Sequence, residues 1–213
     1  MSRDWHEWYR HYDDPASSLS LRLETVRARL ALLLEAADGP VRLLSLCAGD
    51  GRDTLPVLAA SGADVTAVLV ELDPILSATA RESAVALGLG AVEVRTADAG
   101  TTASFADVAP VDVLLECGVF GNVTDADIAR TVAATPSLLR AGGHVVWTRG
   151  NNVPVDPTSY DGDPAELVRV LFDDAGFAEV DYVADPSGYR VGVHRWPGPT
   201  GRPDPEARLF TFV

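Results

Sequence analysis

The sequence predicts an α/β fold in which a mostly parallel β-sheet carries helices on both faces. Short apolar runs rich in β-branched residues alternate with stretches of helical periodicity up to about residue 176, and the alternation stops there. Continuous apolar runs are typical of strands covered on both faces, and strand–helix alternation produces parallel βαβ units. We predict one domain over residues 1–213, with a helical cap at 1–40 and an α/β core at 41–213.

The individual elements follow from the local pattern. Leucines and a valine at helical spacing over residues 20–37, ended by Asp38-Gly39-Pro40, predict the cap helix. Strands are predicted near residues 42–47, 65–71, 92–96, 111–116 and 143–149. Helices are predicted near residues 52–60, 74–87, 125–139 and 164–175, with a short turn near 101–107. Asp73 precedes Pro74, which is typical of a helix N-cap.

The last part of the chain predicts antiparallel strands. Residues 177–183, 189–194 and 208–213 alternate between apolar and polar side chains, and turn sequences separate them. Parallel neighbours need a long crossover, and no helical stretch lies between these runs. The sheet is therefore expected to end in antiparallel strands.

Charge argues against several classes of partner. The 213 residues carry a net charge of −14, which disfavours nucleic acid and anionic membrane surfaces as partners. No apolar run approaches membrane-spanning length, and the N-terminal residues lack an apolar signal core. We expect a cytoplasmic protein, a monomer or homodimer, whose partner is a small-molecule substrate.

The amino-acid composition limits the reaction mechanisms that the chain can use. All 17 basic residues are arginine, so mechanisms that need a lysine amine are excluded, and the bias is typical of a bacterial genome rich in G and C. Cys47 and Cys117 lie in apolar contexts, which predicts buried thiols. No Cys-x-x-Cys or His-x-x-x-His spacing occurs, and so no metal site is predicted.

The strongest functional signal is the turn after the first predicted strand. Gly49-Asp50-Gly51 begins a helical stretch, and Glu71 ends the next predicted strand, 20 residues after Gly51. Glycines let the backbone approach a ligand closely, and a strand-end acid can accept both hydrogen bonds from a ribose diol. This arrangement predicts binding of an adenosine-type cofactor.

Together with the elements that follow, this pattern resembles the class I S-adenosylmethionine-dependent methyltransferases over about residues 40–213. That family carries an acid and then Gly-x-Gly-x-Gly at its first strand and loop, where this chain has Ser45 and then Cys47-Ala48-Gly49-Asp50-Gly51. The resemblance implies a doubly wound, Rossmann-like sheet of seven strands, mostly parallel, with antiparallel C-terminal strands. It also implies S-adenosylmethionine as the cofactor and S-adenosylhomocysteine as its product.

The resemblance assigns the carboxyl ends of four strands to the cofactor. Glu71 would accept hydrogen bonds from the ribose, and Asp98, after the third strand, would meet the adenine amino group. The predicted cofactor-binding residues are Cys47, Ala48, Gly49, Gly51, Asp53, Glu71, Leu72, Asp98, Ala99, Cys117 and Gly118. Because Ser45 replaces the family's acid, the contact to the methionine amine is open between Asp50, Asp53 and a main-chain carbonyl.

The acceptor side is predicted from aromatic and polar residues near the same edge. Trp5, Trp8, Tyr9 and Tyr12 can form a lid, because aromatic side chains exclude water and pack against flat substrates. The predicted substrate-binding residues are Trp8, Tyr12, Phe120, Arg149, Asn151 and Asn152. The candidate catalytic bases are His11, Tyr12 and Glu116. We expect direct in-line methyl transfer to a small-molecule acceptor.

Two other functions remain open at this stage. A NAD(P)-dependent Rossmann oxidoreductase would share the glycine turn and Glu71, although Thr54 stands where its third glycine belongs. The replacements at Ser45 and Cys47 also allow a protein that binds the cofactor but has lost or changed methyl transfer.

Overall fold

A seven-stranded β-sheet organises the protein, whose computed structural model describes residues 10–150 and 163–213. The strands are β1 (Val41–Leu46), β2 (Val65–Glu71), β3 (Val92–Thr96), β4 (Val111–Glu116), β5 (Leu139–Gly150), β6 (Ala178–Ala184) and β7 (Tyr189–Arg195). Their order across the sheet is β3-β2-β1-β4-β5-β7-β6, and β7 is antiparallel to both of its neighbours. This confirms the predicted mostly parallel sheet with an antiparallel strand near the C-terminal side.

Within the described residues, five α-helices cover the two faces of the sheet. They are α1 (Ser18–Glu35), α2 (Leu55–Ala60), α3 (Pro74–Ala86), α4 (Asp125–Leu138) and α5 (Pro164–Asp174). Apolar side chains of α1, α2 and α3 pack against one face, and those of α4 and α5 pack against the other. Asp73 caps α3 as predicted, since its Oδ1 accepts hydrogen bonds from the N–H groups of Ile75 and Leu76. Within the described ranges, no helix is both long and apolar enough to cross a membrane.

Two predicted boundaries differ from the structure. The helix predicted from residue 52 begins at Leu55, because residues 52–54 complete the turn that follows Gly51. Strand β5 begins at Leu139 and not near residue 143, since the chain passes from α4 into the sheet without a loop and Leu139 already pairs with Val111.

The run at 208–213 was predicted to be a strand, and this prediction is wrong. One isolated bridge joins Arg208 to Thr101, and the run belongs to no sheet. Its neighbours are loops and a helix: the N–H of Leu209 donates to the carbonyl of Gly100 (2.8 Å), and the N–H of Thr211 donates to Oδ2 of Asp127 (3.2 Å). We call residues 207–213 the cover segment.

The cover segment packs beside the connection between β3 and β4, on one face of the sheet. The connection between these strands contains a 3-10 turn, Thr102–Ser104, in place of an α-helix, and its residues Phe105 and Val108 are buried in an apolar cluster on one face of the sheet. Leu209 and Phe210 of the cover segment are buried in the apolar cluster on that face. The cover segment therefore adds to the packing that the β3–β4 connection provides on this face, and it ends at the carboxyl edge of the sheet.

Candidate active site

A cavity of about 600 Å³ opens at the carboxyl edge of the parallel strands. Its volume falls in the range of small-molecule sites, and its position is where open α/β sheets bind ligands. The residues lining it come from the ends of β1, β2, β3 and β4, from α1 and its preceding turn, and from the cover segment. Of the eleven predicted cofactor-binding residues, nine line it: Cys47, Ala48, Asp53, Glu71, Leu72, Asp98, Ala99, Cys117 and Gly118.

The two remaining residues, Gly49 and Gly51, shape the turn behind these lining residues. Gly49 and Gly51 have φ angles of 58° and 74°, in the left-handed region that glycine adopts at little cost. A Cβ on Gly51 would also lie 2.7 Å from a side-chain carbon of Leu55. Cys47, at the position of the first family glycine, also has a positive φ of 55°. The chain thus keeps the left-handed backbone at this position with a cysteine.

Glu71 is held in place by the backbone on both sides. Its Oε2 accepts a hydrogen bond from the N–H of Gly49 (2.7 Å), and its Oε1 accepts one from the N–H of Asp73 (2.8 Å). Burial raises the pKa of Glu71, and these backbone hydrogen bonds oppose the rise. Each carboxylate oxygen keeps a lone pair for another donor. The side chain is therefore a fixed acceptor in the cavity wall, and it suits a diol.

Asp98 marks one end of the cavity. Its Oδ1 accepts a hydrogen bond from the N–H of Gly100 (2.8 Å), and its Oδ2 accepts one from Nη1 of Arg208 (2.7 Å). Phe210, Thr211 and Phe212 also line the cavity, so the cover segment forms part of its wall. An apolar wall beside an oriented carboxylate suits a flat ring that carries an amino group.

The end of the cavity opposite Asp98 carries side chains of both charges. Asp53, Arg22 and Tyr12 line it, and Nη2 of Arg22 donates a hydrogen bond to the hydroxyl of Tyr12 (2.9 Å). Asp50 is engaged elsewhere, because Nε of Arg52 lies 2.9 Å from both of its carboxylate oxygens. Burial raises the pKa of Asp53, and a bound cation would oppose that rise. Among the acids that the sequence left open, the cavity contains Asp53.

Two cysteine thiols also line the cavity. Cys47 and Cys117 follow the neighbouring strands β1 and β4, and both are free. Burial raises the pKa of both cysteines, and nearby carboxylates, including Glu116, raise both further. The thiols are therefore protonated at neutral pH and present a weakly polar surface.

The candidate bases occupy different places. Tyr12 lines the cavity, and burial raises the pKa of its hydroxyl. His11 is exposed and is not among the lining residues. Glu116 is fully buried behind the cavity wall, where burial raises its pKa to about 8. Among these three residues, the structure brings Tyr12 alone to the cavity surface.

The predicted substrate-binding residues are also divided. Phe120 is fully buried in an aromatic cluster, with ring centroids 6.3 Å from Trp147 and 6.5 Å from Phe172. Arg149 is 4% exposed and forms an ion pair with Asp125 (2.9 Å), away from the lining residues. Trp5, Trp8, Tyr9, Asn151 and Asn152 lie outside the described residues.

Several lining residues escaped the sequence analysis. Arg22 and Leu23 lie on a helix whose apolar periodicity carries no ligand signal, and Arg208, Phe210, Thr211 and Phe212 belong to the run that was predicted to be a strand. Asp73, Pro74 and Leu76 follow directly on Glu71 and could have been expected, since the same strand end presents them. No group of three or more potential metal ligands occurs within the described residues.

Comparison with known proteins shows that this chain is similar in structure to several solved proteins. No protein-family model and no curated protein matches the chain. The 1,6-didemethyltoxoflavin-N1-methyltransferase of Burkholderia thailandensis, crystallised with that compound and S-adenosylhomocysteine, superposes with a TM-score of 0.65. The two chains are 19% identical, and the match covers 91% of this chain and 84% of that one.

The strand order and this superposition decide the fold. The chain has the class I methyltransferase fold. A protein from Pyrococcus horikoshii OT3 is similar at a TM-score of 0.64 and 15% identity, over 92% of this chain and 99% of that one. The [4+2]-cyclase SpnF is similar at a TM-score of 0.60 and 19% identity, over 81% and 82% of the two chains. A methyltransferase fold therefore also occurs in a protein named for another reaction.

Proposed function

We propose that this protein binds S-adenosylmethionine in the cavity and transfers the methyl group to a small-molecule acceptor. The observation that carries the proposal is Glu71, whose carboxylate is fixed by the N–H groups of Gly49 and Asp73 in the wall of a cavity of about 600 Å³. The class I methyltransferase fold supports it, because this edge of the sheet is where such a sheet binds ligands.

The residues present fit the three parts of the cofactor. Asp98 and the aromatic side chains of the cover segment suit an adenine ring, and Glu71 suits the ribose diol. Asp53 and Arg22, of opposite charge, suit the ammonium and carboxylate groups of the methionine part. A charge of each sign at one end of the cavity matches a zwitterion better than it matches an anion such as a pyrophosphate.

The chemistry needs little covalent help from the chain. When bound, the cofactor supplies a methyl carbon made electrophilic by the attached sulfonium. The protein orients the acceptor and excludes water, which are the main sources of acceleration for a transfer of this kind. Tyr12 lines the cavity, and its hydroxyl accepts a hydrogen bond from Arg22, so it can orient an acceptor that has a lone pair to share.

Calorimetric titration tests cofactor binding directly. We expect S-adenosylmethionine and S-adenosylhomocysteine to bind with one-to-one stoichiometry, and Glu82→Gln, an exposed change on α3, to leave both affinities unaltered. A folded protein that binds neither compound at millimolar concentration would overturn the proposal. Methyl transfer is then assayed with radiolabelled cofactor against a panel of phenols, amines, thiols and acidic carbon compounds.

The two alternative functions predict different results. A NAD(P) oxidoreductase is disfavoured because Thr54, at the position of its third glycine, is fully buried, and because β7 runs antiparallel between β5 and β6. It predicts a change in the fluorescence of reduced nicotinamide cofactors on mixing. A protein that has changed its reaction, as the name of SpnF indicates for that neighbour, predicts cofactor binding without methyl transfer to any acceptor of the panel.

A further inference from the structure

Glu116 is the most unusual polar side chain near the cavity. It ends β4 and is 0% exposed, and neither carboxyl oxygen has a hydrogen-bond partner in the described part of the chain. A buried carboxylate without a partner is costly, whereas a neutral carboxylic acid costs much less. The pKa of about 8 that burial causes is consistent with a neutral Glu116 in the unliganded protein at pH 7.

The surroundings of Glu116 are mostly apolar. Side chains alternate along a strand, so Glu116 projects to the same sheet face as Leu114, and it pairs in register with Trp147 of β5. The titratable and charged groups on the elements packed on this face include Cys47, Asp98, Cys117, Asp125, Asp127, Arg130, Arg149, Glu166, Arg169, Asp173, Asp174, Tyr182, His194 and Arg208. Three arginine–aspartate pairs on these elements are already formed, namely Arg149–Asp125, Arg130–Asp127 and Arg208–Asp98, and burial alone shifts the pKa of Glu116.

Glu116 nevertheless lies close enough to the cavity to act on it electrostatically. Its charge contributes to the raised pKa values of Cys47 and Cys117, and both of these thiols line the cavity. The charge of Glu71, the proposed ribose acceptor, acts on Cys47, and that of Asp53, the proposed partner of the methionine amine, acts on Cys117, which directly follows Glu116 in the chain. A sulfonium group between ribose and amino acid would therefore be placed beside the thiols, with Glu116 behind them.

We propose that Glu116 distinguishes the charged cofactor from its neutral product: it gives up its proton when a sulfonium binds, and it keeps the proton when the thioether binds. This inference rests on the proposed function. With the cofactor bound, the Glu116 carboxylate would act on the positive sulfur from behind the thiols, in a poorly solvated site where attraction between charges is strong. S-adenosylhomocysteine carries no such charge, so the same carboxylate would be buried without a partner. The released proton passes to the buffer.

The consequence is that the preference for substrate cofactor over product depends on pH. Proton release on binding makes the affinity for S-adenosylmethionine rise with pH until Glu116 is ionised in the free protein as well. We expect the ratio of the two affinities to increase by up to about tenfold for each pH unit between pH 6 and pH 8. Above that range the ratio levels off.

The test measures the number of protons that the protein releases when each ligand binds. Titrations of S-adenosylmethionine and S-adenosylhomocysteine at pH 7 in phosphate and in Tris, whose ionisation enthalpies differ, report the protons released per ligand bound. We expect close to one proton for S-adenosylmethionine and close to none for S-adenosylhomocysteine. Glu116→Gln, which preserves shape, abolishes the release and makes the affinity ratio independent of pH. Glu82→Gln, on the exposed surface of α3, is the matched control and behaves as the parent protein does.

Each outcome decides the proposal. Equal proton release for the two ligands overturns it, and this comparison needs the parent protein alone, so a Glu116→Gln variant that does not fold leaves the test intact. Undiminished release from a folded Glu116→Gln variant also overturns it, while the proposed function stands because both ligands bind. Failure of both ligands to bind the parent protein removes the proposed function and this inference together.

Discussion

Arg208 donates a hydrogen bond through Nη1 to Oδ2 of Asp98 over 2.7 Å, joining two residues that are 110 positions apart in the chain. Both side chains are about half exposed, so the pair by itself adds little to stability. Its importance lies in position, because Asp98 and the cover segment face the same end of the cavity. The ligand site therefore depends on where the cover segment docks.

Gly100→Ala is predicted to displace the cover segment. A Cβ on Gly100 would lie 2.3 Å from the carbonyl oxygen of Phe210, which is closer than atoms can approach. We expect at least a tenfold loss of affinity for S-adenosylhomocysteine, measured by calorimetry, because Asp98 and Phe210 would no longer hold their positions. Gly90→Ala is the control, since its Cβ meets no atom within 4 Å. Equal affinities in the two variants would contradict the role assigned to this segment.

Glu71→Gln is predicted to weaken cofactor binding by about 10- to 100-fold, as expected for hydrogen bonds to a charged acceptor. The amide NH₂ would also oppose the N–H of Gly49 or Asp73, so one backbone donor would lose its acceptor. The dissociation constant of S-adenosylhomocysteine measures the effect. An affinity within twofold of the parent protein would show that the ribose lies elsewhere.

The stability of the protein is predicted to fall as pH rises from about 4.5 to about 8 because of Glu116. Its pKa in the folded protein, about 8, lies above the ordinary value of 4.5, so the native state holds a proton that the unfolded state has lost. The free energy of unfolding therefore decreases by up to about 1.4 kcal/mol for each pH unit in that range.

Urea unfolding at pH 5, 6.5 and 8 checks this slope, with Glu116→Gln as the comparison. The variant should gain stability relative to the parent protein as pH rises. His194, whose pKa burial lowers to about 4, changes stability with pH in the opposite direction, but it does so equally in both proteins. Parallel stability curves would mean that Glu116 is ionised in the folded state.

Gly192→Ala is predicted to destabilise the protein by about 1–3 kcal/mol or more, through overpacking. Gly192 of β7 pairs with Trp147 of β5, and a Cβ at this position would lie 2.3 Å from the indole ring. Thermal unfolding measures the loss. Gly62→Ala, whose Cβ meets no atom within 4 Å, should unfold at nearly the parent temperature.

The part of the site that sequence could predict comes from local chain order. Gly49, Gly51 and Glu71 belong to one strand–turn–helix–strand unit, and such a unit has one way of bringing its loop and its second strand end together. Asp98 and Gly118 follow because parallel strands present their carboxyl ends at the same edge. The antiparallel β7 was predictable because no helical stretch separates the runs at 177–183 and 189–194.

The features of the fold and the site that the sequence did not predict depend on contacts between residues that are distant in the chain. Residues 208–213 alternate as a strand does, and nothing in the run itself shows that the β3–β4 connection leaves an apolar face uncovered. Arg22 lies on a helix with ordinary periodicity, and its place beside Asp53 depends on how α1 packs on the sheet. Phe120 follows a glycine at a strand end, yet the aromatic cluster of Trp147 and Phe172 holds it in the core.

The cover segment also has a consequence for the order of synthesis. Ribosomes add about 5–20 residues per second, so Arg208 emerges roughly 5 to 20 s after Asp98. During that interval the apolar face above β1 and β2, including Leu46 and Val70, lacks Leu209 and Phe210. Strands β4 to β7 are synthesised in the same interval, so the sheet is completed while this flank is still open. Competence to bind a ligand arrives in one late step, when the strands are already paired.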